Sequence, residues 1–274
     1  MHPIGNLRQG ENVFTSDWDL CIILDACRYD LLLEVAGEYS FLSDPTSKIS
    51  VDSKTDAWTR KTFSRANVSH VENTTHVTAN PFSRQISEPA NLHSIDHVWQ
   101  YGWDNDNGTV LSRIVTDRAI SASRDGSQDS LLVHYLSLMS HSFHGKENTP
   151  LGRGNFGLDG RGTKDTWLRL RDSELTAKEV WDGYRQNLRH VLDEVALLLN
   201  NVNAKSTVIT FDHGNGLGEW GIFGYPIHTP FDRIRKVPWV ETKAVDQGTH
   251  TPSRYDVEET GNVTEKLREL GYVS

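Results

Sequence analysis

Cysteine and methionine are nearly missing from this sequence, with two of each in 274 residues. Cys21 and Cys27 are too few for a disulfide framework, and such sparing use points to a reducing compartment. No run approaches the roughly 18 apolar residues that a membrane helix needs, so no membrane span is expected. The opening Met1-His2-Pro3-Ile4-Gly5-Asn6-Leu7-Arg8 lacks the apolar stretch of a secretory signal, and a cytoplasmic location is the resulting expectation. Lysine and arginine form no cluster, and the formal net charge is -9, which excludes a nucleic-acid backbone as the expected partner. No internal repeat is present.

What is there is ordinary globular composition, 24% charged and 36% hydrophobic, enough for a full core rather than a disordered chain. The mild acidic excess serves solubility. Strand-like and helix-like patterns alternate. Apolar runs at 19–25, 131–136 and 206–211 read as buried strands, with weaker strands at His76–Ala79 and Ile95–Trp99. Helical spacing marks Arg28–Val35, Thr55–Phe63 and Thr109–Ser123. The strongest helix spans Ser173–Asn200, with Ser173 or Asp172 as its cap and Leu188, Val191, Leu192, Val195 and Leu198 in its apolar stripe. Arg235–Val240 reads as a late strand near an edge because of Pro238. Asp256–Leu270 reads as a closing helix ended by Gly271.

This order implies one α/β domain over residues 1–274, with a mainly parallel central sheet and helices on both faces. The polar, glycine-rich stretch at 145–162 is longer than an ordinary connection and reads as a lid or substrate loop, with disorder as the alternative. In such folds ligands bind beyond the carboxyl ends of the strands. Two apolar strands end there in acidic residues. Leu20-Cys21-Ile22-Ile23-Leu24 runs into Asp25, and Thr207-Val208-Ile209-Thr210-Phe211 runs into Asp212-His213 with a glycine-rich turn behind. Carboxylates and imidazoles delivered to one sheet edge point to a metal site. Mixed oxygen and nitrogen donors suit Zn or Mn, whereas Ca or Mg prefers oxygen alone.

Asp25, a hydroxyl residue some thirty positions later, and Asp212-His213-Gly214 followed by Gly218-Glu219 resemble the alkaline phosphatase/sulfatase superfamily. More narrowly, Ile23-Leu24-Asp25-Ala26-Cys27-Arg28-Tyr29-Asp30, and the pairing of Asp212-His213-Gly214 with Arg235-Lys236-Val237-Pro238-Trp239, resemble small sulfatase-like proteins of halophilic archaea. The resemblance implies a metal-dependent hydrolase or transferase that acts on phosphate or sulfate esters through a covalent intermediate. The substrate would be a small-molecule or glycan ester. It further implies that Asp25, Thr55, Asp212 and His213 hold one divalent ion and that Thr55 is the nucleophile at a helix N-terminus, where an anion is favoured. Ser53 is the runner-up, and a plain helix-capping threonine is the bland reading of Thr55. The Cys-x-Pro-x-Arg pattern of sulfatases with a modified cysteine is missing, since Cys27-Arg28-Tyr29-Asp30-Leu31 does not match it.

His141 falls where the family places a substrate-contacting or acid/base histidine, although serines flank it where the family has prolines. His144 competes for that role. Arg28, three residues after Asp25, is a candidate grip for an ester oxyanion. At Gly224-Tyr225-Pro226-Ile227-His228 the sequence departs from the family's Gly-His-Pro. Either His228 replaces the missing histidine as a ligand, or a second metal position is lost. A degenerate member that binds an anion without turnover is the alternative reading.

Overall fold

Leu20–Leu24 (β1) is buried along its whole length, as expected of a strand covered on both faces. In this computed structural model the described residues are 9–64, 68–86, 92–104, 109–126, 128–136 and 166–256. The 145–162 loop, His141, His144 and the expected closing helix after Asp256 lie outside them. After β1 the principal elements are Tyr29–Val35 (α1), Thr46–Ile49 (β2), Thr55–Ser64 (α2), Thr74–Thr78 (β3), Ser94–His97 (β4), Ser112–Asp125 (α3), Ser130–Tyr135 (β5), Thr166–Arg171 (α4), Ala177–Leu199 (α5), Ala204–Phe211 (β6) and Lys236–Ala244 (β7).

The strands form one seven-stranded sheet in the order β2-β7-β6-β1-β5-β3-β4. β6, β1, β5, β3 and β4 pair in parallel; β7 is antiparallel to both of its neighbours. The expected α/β architecture is therefore present. Side-chain alternation along each strand sorts the core into two layers. Leu20, Ile22, Leu24, Val133, Tyr135, Ile209 and Phe211 join the layer that contains Leu31 of α1, Ile120 of α3 and Leu188 of α5. Cys21, Ile23, Leu132 and Val208 face the other way, onto Trp58 and Phe63 of α2. Both cysteines are free and buried.

One expectation needs correction. The long helix starts at Ala177 rather than Ser173, because Thr176 and Glu179 form a reciprocal capping box there. Ser173 instead sits in a left-handed turn at φ 59° after α4. β7 lies near an edge of the sheet, as expected, one strand in from it. β2 pairs along it, with Pro238 opposite Ser47. Thr46-Ser47-Lys48-Ile49 is polar and half exposed, so it carries no apolar alternation for a sequence reading to find. No helix among the described residues is long and apolar enough to cross a membrane.

α5 lays Leu188, Val191, Leu192, Val195 and Leu198 into the larger layer, all fully buried. Leu188→Ala should therefore destabilise the protein by about 2–5 kcal/mol, and Thr176→Ala, which removes a cap, by about 1 kcal/mol. Urea unfolding midpoints for the two variants check this ranking.

Candidate active site

The strand ends come first. β1 stops at Leu24, and the chain turns sharply at Ala26, a non-glycine residue at φ 58°. Asp212 follows β6, and its Oδ1 accepts N–H bonds from Ala26 and His213, both at 2.8 Å. The backbone carbonyl of Asp212 accepts a bond from the Ser50 hydroxyl, which anchors the start of the loop leading to α2. One oxygen of Asp212 thus ties two strand ends together. Its other oxygen, Oδ2, is buried and has no hydrogen-bond partner.

Parity places the remaining groups. Asp25 lies two residues beyond Ile23, and Asp212 two beyond Thr210, so both point to the face that α2 covers. Thr55, the first residue of α2, reaches the same spot. Its Oγ1 donates to Asp25 Oδ1 at 3.1 Å and lies 3.0 Å from His213 Nε2. The hydroxyl is therefore turned into the site. The other ring nitrogen of His213, Nδ1, is 2.8 Å from the carbonyl oxygen of Gly214 and must donate to it. That bond fixes the tautomer and leaves Nε2 with a lone pair. His213 Nε2 is 3.5 Å from Asp212 Oδ2. Asp25, Thr55, Asp212 and His213 are thus brought together, all buried.

His134 was not singled out from the sequence. It sits in β5, and it, Asp25 and Asp212 each offer a ligand atom within 4.8 Å of the others. Its Nε2 is buried without a partner. Burial pushes the imidazole down to about 4, against the opposite pull of Asp212, so it is neutral at pH 7. The available signal was a histidine inside an otherwise apolar strand, where a polar ring needs a reason.

This donor set fits a divalent cation. Two carboxylates buried this close together need a compensating charge. Asp212 Oδ2 and His134 Nε2 are buried polar atoms without a hydrogen-bond partner, and both residues belong to that cluster. Carboxylate, hydroxyl and imidazole together match Zn or Mn better than an all-oxygen Ca or Mg site.

Other expected residues fall elsewhere. Arg28 does not face an open oxyanion site. Its Nε and Nη2 donate to Asp30 at 2.9 and 2.6 Å, and its Nη1 to Glu219 at 2.7 Å and the Asn215 carbonyl at 3.2 Å. It pins the glycine-rich turn behind His213 to the start of α1. Gly214 is required in that turn, because a Cβ there would stand 2.6 Å from the Arg233 carbonyl and 3.1 Å from Arg28 Cγ. His228 does not join the metal cluster either. Its Nδ1 bonds Asp52 at 2.7 Å, its side chain is 61% exposed, and its backbone is left-handed at φ 57°. Ser53 is spent on the same contact, donating to the Pro226 carbonyl at 2.6 Å and accepting from the Thr229 N–H at 2.9 Å. Tyr225 packs its ring on His213, with centroids 4.9 Å apart.

The comparisons with known proteins agree at the level of the fold. No protein-family model and no curated protein matches the sequence. Among solved structures, the chain resembles the soluble domain of lipooligosaccharide phosphoethanolamine transferase A from Neisseria meningitidis. They share 13% identity over 97% of this chain and 85% of that one, at a TM-score of 0.50. A putative sulfatase from Bacteroides thetaiotaomicron is similar at 11% identity, over 83% and 65% of the two chains, with a TM-score of 0.49. The C-terminal periplasmic domain of EcEptC from Escherichia coli, solved in complex with Zn, is similar at 12% identity, over 85% and 75%, with a TM-score of 0.48. The mostly parallel, helix-flanked sheet matches the fold of the first of these, the transferase domain from Neisseria meningitidis.

Asp52 holds the loop before Thr55 to the 226–229 turn. Burial by itself would raise its carboxyl, but bonds from Lys61, the Ser53 N–H and His228 hold it well below the usual carboxylate range. A depressed folded-state value stabilises the protein above the unfolded value near about 3.9 and is lost as pH falls through the folded one. Asp52→Asn should cost about 1–3 kcal/mol at pH 7, with a deficit that shrinks as the pH drops below about 4. Parallel denaturation curves of wild type and variant from neutral to acid pH measure this; a pH-independent gap would contradict it.

Proposed function

We propose that this protein is a metal-dependent hydrolase or group transferase for phosphate or sulfate esters, with Thr55 as its covalent nucleophile. The observation that carries the reading is the placement of Thr55 Oγ1, 3.1 Å from Asp25 Oδ1 and 3.0 Å from His213 Nε2, beside the bare Oδ2 of Asp212. Asp25, Asp212, His213 and Thr55 would hold one Zn or Mn ion. When bound, such an ion lowers the pKa of a hydroxyl and offsets charge developing on the ester oxygens.

The chain's own residues do the rest. Asp25 Oδ1 takes the hydroxyl hydrogen of Thr55 and leaves an oxygen lone pair facing the substrate. The Gly214 carbonyl keeps His213 in the tautomer whose Nε2 has a free lone pair. Attack of Thr55 Oγ1 on phosphorus or sulfur forms the threonyl ester and expels the substrate alcohol, which leaves with a proton. Water or a second alcohol then attacks the threonyl ester, passing its proton to the group that protonated the departing alcohol, and Thr55 regains its hydrogen from Asp25. Water as acceptor gives hydrolysis and an alcohol gives transfer. His141 is our candidate to donate the proton to the departing alcohol. The substrate class is a phosphorylated or sulfated sugar or glycan precursor. Residues 1–274 are read as one domain, with 145–162 as a lid or substrate loop.

The test is metal analysis of purified protein, run with p-nitrophenyl phosphate, bis-p-nitrophenyl phosphate and p-nitrophenyl sulfate on wild type and Thr55→Ala. Near one equivalent of Zn or Mn is expected. Turnover in the variant should fall by about three orders of magnitude or more, with its fold retained. Wild-type activity in Thr55→Ala would remove the nucleophile assignment. A metal-free, inactive wild type would leave the anion-binding, non-catalytic reading in its place.

A further inference from the structure

His134 stands in one row with Ile23 and Thr210 across β5, β1 and β6. Asp25 and Asp212 lie two residues further along their own chains and point to the same face. The imidazole is therefore placed one step inside the two carboxylates, beneath them. Its ring is held by packing rather than by hydrogen bonds to Nε2. Trp58 meets it edge-on, with centroids 5.5 Å apart, and His76 lies nearly parallel to it at 6.4 Å. The ring is 1% exposed, and Nε2 has no partner. A buried, immobilised imidazole that shares a group of close ligand atoms with two carboxylates calls for a cation to bind.

We propose that His134 supplies a nitrogen ligand to the ion held by Asp25 and Asp212, and that the site thereby selects Zn, Mn or Co over Mg and Ca. The proposal rests on the metal-site reading above. An imidazole beside the two carboxylates shifts the donor set away from hard cations, which prefer oxygen, and toward borderline ones. His76 provides an internal contrast. Both of its ring nitrogens are also buried and unpartnered, but it lies one strand further out and outside the ligand group.

Phenylalanine keeps an aromatic ring at either position and removes the nitrogens, and its slightly larger ring tests both buried positions alike. His134→Phe and His76→Phe are compared with wild type by competition against a chromophoric chelator for Zn, Mg and Ca, and by visible absorption of the Co(II)-loaded proteins. Thermal melts of the metal-free proteins confirm folding. His134→Phe is expected to weaken Zn binding about 10- to 100-fold and to change the Co(II) bands. Mg and Ca binding should move little, and His76→Phe should match wild type. Wild-type Zn affinity and Co(II) bands in His134→Phe would overturn the proposal and leave the metal-site reading intact. An equal loss in His76→Phe would also overturn it, by assigning the effect to packing. A wild type that binds none of these ions would overturn both.

Discussion

The carboxylate of Asp212 divides its two oxygens between structure and chemistry, and the rest of the site depends on that division. Oδ1 joins the turn after β1 to the end of β6 through two backbone N–H bonds, while Oδ2 is left bare. A carboxylate that accepts two amide hydrogens has one rotamer and a fixed direction. Asp25 precedes the first of those amides and His213 carries the second. All three donors are therefore oriented by one side chain. Thr55 needs only to arrive from the opposite direction.

It arrives on α2, and two loops control where α2 begins. Ser50 is bonded to Asp212 through its hydroxyl and to the residue just before β7 through its own N–H, which donates to the Arg235 carbonyl at 2.7 Å. Asp52 and Ser53 then take up the 226–229 turn. Trp58 and Phe63 seat the helix on the sheet in the smaller core layer. Strand ends, loop and helix face are thus separate constraints that agree on one position for a single hydroxyl, which is the consistency expected of a built site.

Much of this was legible in the sequence because it follows from period-2 alternation and from acidic residues placed where apolar runs stop. Asp25, Asp212 and His213 declare themselves in that way, and so do the α/β class and the α5 stripe. Other features depend on partners distant in the chain. Arg28 looks like an anion grip until Glu219, reached only through the fold, occupies it. His228 looks like a ligand until Asp52 is found beside it. β2 is polar and is a strand only because β7 offers it a ladder. His134 hides inside an apolar run, where periodicity reports burial and says nothing of what a ring nitrogen faces.

The tautomer lock on His213 and the double amide bond to Asp212 belong to the chain itself and need nothing added to form. An incoming ion would meet a mould already cast rather than one it must shape. Little conformational entropy would remain to be lost on capture. The pace of loading would then be governed by how fast the ion sheds its hydration shell, not by rearrangement of the polypeptide.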